Sequence, residues 1–368
     1  MRILVVNTGS SSLKLALVDK EEATLGEREL ALEGGRVDPG DVMAAVGELG
    51  EPEAIGHRIV HGGRRFLVPT RIDREVEAAL RELADLAPLH QPPALEAQAL
   101  VERALPGLPA VACFDTAFHA TLPAAAATYA LPQEWRKRWP LRRFGFHGLS
   151  HAYAARRAAR LAGSKGNDLR IVSCHLGAGA SIAAVQRGRS VDTTMGFTPL
   201  DGLVMGTRSG SVDPGLLLWL LERGGLAVEE VADALERKSG LLGLAGTADM
   251  REVLDRAKDG DPDAVLARDV YVHRLRAGMG AMVAAMEGLD VLVFTGGVGE
   301  RSSEIRAAAA RGLSYTGVSL HTERNEDAAG DAEIGSGSAP VRTFVVTARE
   351  DLEIARQVRA VLGQRAPS

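Results

Sequence analysis

Ile3-Leu4-Val5-Val6-Asn7-Thr8-Gly9-Ser10-Ser11-Ser12-Leu13-Lys14-Leu15 reads as a strand, a polar turn and a second strand. The opening residues are apolar and largely β-branched, which suits a buried strand. Beyond the turn, Leu13, Leu15 and Leu17 alternate with Lys14 and Ala16, so the chain leaves as a strand rather than a helix. The same outline returns a little under half the chain later, in Ile171-Val172-Ser173-Cys174-His175-Leu176-Gly177-Ala178-Gly179-Ala180-Ser181-Ile182-Ala183. Two such hairpins predict duplicated halves with a cleft between the copies.

Further strands are expected at Val111 to Phe114, Val291 to Phe294 and Val341 to Val346. Helical spacing marks Arg74 to Leu86, Ala94 to Ala104, His151 to Ala162, Val228 to Lys238 and Asp263 to Glu287. A further helix is expected at Ser302 to Gly312, and Asn325 to Ser338 reads as an exposed loop. Strands alternating with helices predict an α/β protein with ligands at the carboxyl ends of the strands. Asp192 to Gly215 carries five glycines and two prolines with little periodicity, between well-patterned flanks. An irregular segment of that length inside a domain is usually functional or disordered, and the flanks favour function.

Composition narrows the function class. The 368 residues are 46% apolar and 25% charged, as in an ordinary globular protein of two domains or so. The net charge of −5 gives no bulk attraction to nucleic acid or anionic lipid, so any phosphate-binding surface must be local. Only Cys113 and Cys174 are present, far apart and in apolar runs, which predicts two buried thiols and a cytoplasmic location. The apolar opening turns polar at Asn7, too early for a signal-peptide core, and no run is long enough to span a bilayer.

Three glycine turns at strand ends are candidate phosphate cradles: Asn7 to Ser12 with Lys14, His175 to Ser181, and Phe294-Thr295-Gly296-Gly297-Val298-Gly299-Glu300. Unhindered backbone N–H groups can converge there on an anion, although a hairpin turn or close strand packing needs glycine equally. The first is not a Walker A loop, which requires Gly-Lys-Ser/Thr opening a helix. Arg58, beside the bend at Gly62-Gly63, and Arg208, inside the long irregular segment, are candidate grips for a carboxylate or phosphate. His147 in Phe144-Gly145-Phe146-His147-Gly148 is either a donor to developing charge or a core histidine. Asp115, ending an apolar strand, is a catalytic carboxylate or a cap. Glu350 is a Mg²⁺ ligand or a first-turn glutamate favoured by the helix dipole. No zinc spacing or Gly-x-Ser-x-Gly elbow is found.

Taken together, Asn7 to Ser12 with Lys14, and Arg143-Phe144-Gly145-Phe146-His147-Gly148 followed by Ser150-His151, resemble the two signatures of the acetate kinase family. The likeness continues through His57 to Gly63, Phe114 to His119, Met205 to Gly210 and Phe294 to Glu300, in the family's order. It implies two duplicated ribonuclease-H-like domains (actin/hexokinase-like) around a nucleotide cleft. The N-terminal domain would span 1–145, with a C-terminal helix over 350–364 packing back on it. The nucleotide domain would span 146–349.

The resemblance also implies reversible, Mg²⁺- or Mn²⁺-dependent transfer of the ATP γ-phosphoryl group to acetate. The products are acetyl phosphate and ADP, which places the chain in acetyl-CoA biosynthesis. By position, Arg58 and Arg208 hold the carboxylate and the phosphoryl group, His147 stabilises the transition state, and Asp115 positions or deprotonates the acid. Asn7 and Glu350 serve the metal. Ser10, Ser12, Lys14, His175, Leu176, Gly177, Ala178, Gly179, Asp249, Met250, Arg251, Gly297, Val298, Gly299, Glu300 and Arg301 bind the nucleotide. Val60, Leu89, Phe146 and Pro199 are the candidate walls of the acid pocket. A homodimer is implied, with no nucleic-acid or membrane partner. Ala178 and Arg301 stand where the family usually has asparagine. Propionate or butyrate kinase, and a superfamily phosphohydrolase, are the competing activities.

Overall fold

The computed structural model describes all residues except Ser10 and Ser11, 33–35, 85–90, 165–167 and 364–368. Twelve strands form among the described residues: β1 (Ile3–Thr8), β2 (Ser12–Val18), β3 (Thr24–Ala31), β4 (Ala54–Ile59), β5 (Thr70–Arg71), β6 (Ala110–Phe114), β7 (Arg170–Leu176), β8 (Ala180–Gln186), β9 (Arg189–Thr193), β10 (Val291–Thr295), β11 (Ala332–Glu333) and β12 (Arg342–Val345). They make two six-stranded sheets, in the orders β3-β2-β1-β4-β6-β5 and β9-β8-β7-β10-β12-β11. Each sheet has three antiparallel strands, then two parallel neighbours, then a short antiparallel edge strand. The duplication expected from the two hairpins is therefore a repeat of whole sheet topology. The fold is a pair of ribonuclease-H-like α/β domains.

The chain divides into two units. One comprises Met1–Ala120, Phe146–Tyr153 and the stretch from Arg349; the other comprises Thr121–Gly145 and Ala154–Ala348. In the first, the period of two along β1 sends side chains to opposite faces. Leu4 and Val6 join Leu13, Leu15 and Leu17 against helices Pro39–Leu49 and Gln91–Ala104. Ile3 and Val5 join Val111 and Cys113 against Leu352, Ile354, Ala355 and Val358 of helix Glu350–Val361. Both faces are covered, so β6 and the first four residues of β1 are apolar. Gly56 permits the second contact, because a Cβ there would lie 2.5 Å from Ile354 Cγ2.

In the second unit β8 is buried along nearly its whole length, and helix Pro262–Ala285 lies against it. A Cβ on Gly278 would meet Ile182 Cδ1 at 2.9 Å. The helix is capped by Asp261, whose carboxylate accepts from the amides of Asp263 and Ala264. Cys113 and Cys174 are buried and form no disulfide. Among the described residues no helix is long and apolar enough to cross a membrane.

Some elements differ from expectation. The helix expected over Arg74 to Leu86 ends at Glu82, with Leu83 as its C-cap. The helix expected from His151 begins at Gly148. Asn325 to Ser338 is not simply an exposed loop. Asn325 and Ile334 are buried, and β11 pairs antiparallel with β12. Its Gly, Asp and Ser content reflects tight turns around a short edge strand rather than solvation.

Candidate active site

In the first unit, β1, β4 and β6 are adjacent and parallel, and each delivers one polar side chain at its carboxyl end: Asn7, Arg58 and Asp115. Carboxyl ends of parallel strands are where open α/β sheets present ligand groups. Glu350, the first residue of helix Glu350–Val361, closes the group.

The four side chains form one network. Arg58 donates to Asp115 Oδ2 from Nε at 3.1 Å and from Nη2 at 2.6 Å. Its Nη1 donates to Asn7 Oδ1 at 3.1 Å and to the Thr8 carbonyl at 3.4 Å. Asn7 Nδ2 donates to Glu350 Oε2 at 2.8 Å, which lies 3.9 Å from Arg58 Nε. The Asp115 side chain is 1% exposed and that of Arg58 14%. Burial alone would lower the Arg58 pKa, but the Asp115 and Glu350 charges outweigh it and hold the guanidinium above its ordinary value. Asp115 Oδ1 is buried with no hydrogen-bond partner among the described residues. An orphaned buried carboxylate oxygen costs free energy, which favours any ligand that can pair with it.

His147 is bound to this cluster through the backbone. The Gly148 amide donates to the Asp115 carbonyl at 3.0 Å. A Cβ at position 148 would lie 2.1 Å from that oxygen. His147 takes φ of 54°, a left-handed conformation unusual for a side-chain-bearing residue. Strain of this kind persists where the surroundings over-determine it. Phe146 is buried with its ring edge-on to His61, 5.4 Å between centroids, and Val60, which precedes His61 in sequence, is also buried. Ser12 donates to Glu29 at 2.6 Å, and Lys14 lies 3.6 Å from the same carboxylate. Ser10 and Leu89 lie outside the described residues.

The second unit holds a cavity of about 750 Å³. Of the expected nucleotide residues, Gly177, Ala178, Asp249, Met250, Arg251, Gly297, Val298 and Arg301 line it. The Gly206 amide donates to the Ala178 carbonyl at 3.0 Å, tying the irregular segment to the second glycine turn. Asp249 caps helix Met250–Lys258 by accepting from the Arg251 amide at 2.9 Å, and its carboxylate also pairs with the Arg251 guanidinium. Leu176 and Gly299 are buried behind the wall, and the Gly177 amide donates to the Gly179 carbonyl at 2.9 Å. His175 is half-buried in β7. Glu300 turns inward, its Oε1 accepting from the amides of Gly296 at 3.0 Å and Ala348 at 2.9 Å. Tyr271, Lys258 and Ser303 also line the cavity, and nothing in their sequence context singles them out.

Arg208 sits in the same unit, largely buried, with Nε 3.2 Å from Glu236 Oε2. Burial pulls its pKa down and Glu236 opposes the shift. Glu236 comes from helix Val228–Arg237, so its pairing with Arg208 had no local sequence signal. Pro199 is half-buried in the irregular segment.

Among the described residues no cluster of three or more His, Cys, Asp or Glu could cage a metal. Asn7 and Glu350, hydrogen-bonded to each other in the network that leaves Asp115 Oδ1 orphaned, supply oxygen donors of the kind Mg²⁺ takes, one or two carboxylates with the shell completed by water and phosphate oxygens.

Residues 42–356 match the model of the acetokinase family. An acetate kinase of Leifsonia xyli is 46% identical, with 96% of this chain and 97% of that protein aligned. One of Nostoc is 41% identical over 97% of this chain and 98% of its own. Among solved structures, the Porphyromonas gingivalis acetate kinase superposes with a TM-score of 0.89 at 36% identity, covering 98% of this chain and 99% of its own. A propionate kinase of Francisella tularensis gives 0.88 at 36% identity, covering 97% and 98%.

Proposed function

The chain belongs to the acetokinase family, and from that premise we propose that it is a cytoplasmic acetate kinase, interconverting ATP and acetate with ADP and acetyl phosphate. The observation that carries the reading is the network of Asn7, Arg58, Asp115 and Glu350 at the strand ends.

The chemistry explains why such a network suits the reaction. Acetate is already ionised at neutral pH, so no strong base is required. The barrier lies in bringing one anion against another, and positioning with charge neutralisation must lower it. Arg58 is kept charged and oriented by Asp115. Its Nη1, held at 3.1 and 3.4 Å by weaker partners, is the donor a substrate carboxylate would take over. Asp115 thus positions the acid through Arg58. His147 donates to charge developing on the transferred group, and Arg208 neutralises that group. Val60 and Phe146 contribute apolar wall beside the acid.

The cavity of the second unit takes the nucleotide, with Gly177, Ala178, Gly297 and Val298 offering backbone close to phosphates and Asp249 to Arg251 flanking the remainder. Asn7 and Glu350 would hold Mg²⁺, which supplies charge neutralisation of phosphate oxygens when bound. A homodimer is supported by helix Pro214–Glu222, which has no buried residue and exposes Leu216, Leu218 and Trp219.

Incubating the protein with ATP, Mg²⁺, acetate and hydroxylamine tests the reading. Acetyl hydroxamate is expected; release of phosphate independent of any acid would replace it with a phosphohydrolase. Propionate is the second reading, on the strength of the likeness to the Francisella propionate kinase. One methylene is worth only about 1–3 kcal/mol in an apolar pocket. A kcat/KM series over acetate, propionate and butyrate decides between them.

A further inference from the structure

Arg306 is the largest fully buried side chain among the described residues, 1% exposed, and it makes no ion pair there. Burial lowers its pKa to about 10, so it remains charged at neutral pH. Burying an unpaired guanidinium is costly, and an apolar side chain of similar volume would often serve stability as well or better. Its hydrogen bonds give the reason for its presence. Nη1 donates to the carbonyls of Gly299 at 3.0 Å and Glu300 at 2.7 Å. Nε donates to Asn325 Oδ1 at 2.8 Å, and Nη2 donates to the Asn325 carbonyl. Asn325 passes the constraint on, its Nδ2 donating to the Ser303 carbonyl at 2.9 Å.

These acceptors bracket one corner of the nucleotide cavity. Gly299 and Glu300 lie at the end of helix Gly296–Arg301, whose Gly297, Val298 and Arg301 face the cavity, and Ser303 opens the next helix and also faces it. A helix of six residues leaves most of its terminal carbonyls unpaired, with negative dipole charge concentrated on them. A forked cation satisfies two of them at once, whereas a lysine ammonium presents no planar fork. Glu300 braces the other end by accepting from the Gly296 amide.

We propose that Arg306, with Asn325, is a positioning residue for nucleotide binding: a buried strut that fixes the glycine turn from behind without touching the ligand. The proposal rests on the cavity being the nucleotide site. A strut for this wall governs nucleotide affinity and leaves the acid's KM alone.

The test is ADP binding by calorimetry, with KM for ATP and for acetate measured alongside, on Arg306→Gln and Arg306→Lys at a temperature where circular dichroism shows each folded. R306Q is expected to bind ADP at least tenfold more weakly and to raise KM for ATP in parallel, with KM for acetate within twofold of wild type. R306K, which keeps the charge but loses the fork, is expected to fall between, and it carries the test alone should R306Q not fold. Unchanged ADP affinity in the folded variants, or equal loss toward ATP and acetate, overturns the strut. Failure of the wild type to bind ADP overturns the nucleotide assignment of the cavity, and the strut's role with it.

Discussion

Arg58 gives two hydrogen bonds to a single oxygen of Asp115, leaving the second oxygen of that carboxylate buried and unsatisfied among the described residues. The guanidinium is thus what makes a charged Asp115 tolerable at 1% exposure. Removing one member of a buried pair strands the other, at a cost of about 3–5 kcal/mol.

Arg58→Leu should therefore lose both activity and stability, and the stability loss should depend on pH. Without Arg58, burial and the Glu350 charge remain on Asp115, and both raise its pKa. A carboxyl whose folded pKa lies above its unfolded value contributes most at low pH and loses that contribution as pH rises through the folded pKa. The deficit of R58L against wild type should be smaller at pH 5 than at pH 8, read from urea midpoints. An equal deficit at both would mean that Asp115 is not the stranded group.

His147 allows conformation and chemistry to be separated. Its φ of 54° is one that glycine adopts freely. His147→Gly should melt close to wild type, relief of the backbone strain offsetting the contacts of the lost imidazole, while kcat falls by roughly 10²–10³, the usual loss of a donor to developing charge. Gly148→Ala should do the reverse damage, forcing a methyl to within 2.1 Å of the Asp115 carbonyl and destabilising the site. Thermal melts beside initial rates check both, and a near-normal kcat for H147G would remove His147 from the mechanism.

How far the site could be foreseen depended on whether its signals were local. Asn7 and Asp115 end apolar β-branched runs, so their places at strand ends were legible. Arg58 reads as an anion grip near a glycine bend but not as a strand residue, because β4 (Ala-Ile-Gly-His-Arg-Ile) is broken by glycine and two basic side chains. Its strand character comes from β1 and β6 on either side, and from a helix that follows almost 300 residues later. The pairing of Arg208 with Glu236, and of Arg306 with Asn325, left no trace for the same reason. Arginine in sequence looks like surface, and only the tertiary fold shows which carbonyls it caps. Helix Pro214–Glu222 was missed because six of its residues are Leu-Leu-Leu-Trp-Leu-Leu, with no polar face to set a period.

Arg208→Ala should lower kcat by two or more orders of magnitude while changing ADP affinity only modestly. Its side chain pairs with Glu236, which does not line the cavity. A group whose partner is the migrating phosphoryl stabilises the transition state more than bound nucleotide. Steady-state rates with ADP calorimetry separate the two, and a near-normal kcat would show the role misassigned.

His57 should make the protein sensitive to acid. It is buried on β4, with Nδ1 lacking a partner among the described residues, and burial drops its pKa from 6.5 to about 3. A base with a depressed folded pKa contributes stability that is present above its unfolded value and lost as pH falls below 6.5 toward 3. The slope is about 1.4 kcal/mol per pH unit for one such group. His57→Phe should match or exceed wild type near pH 7, since it removes an unsatisfied nitrogen, and its stability should fall less steeply between pH 6 and 4. Parallel slopes for H57F and wild type in urea titrations would shift the acid sensitivity to His61 and His119, whose pKa values burial lowers to about 4.

Trp219 should report on assembly. Leu218 and Trp219 are each 57% exposed, on a helix with no buried residue, and Val228 nearby is 65% exposed. An apolar cluster of that size on a monomer would favour association, and self-pairing by a two-fold axis is the commonest closed solution. Trp219→Asp should halve the sedimenting mass at micromolar concentration, because each dimer would bury two carboxylates at its centre without partners. If the wild-type chain already sediments at the mass of one copy, the exposed helix serves some other contact and the dimer must be abandoned.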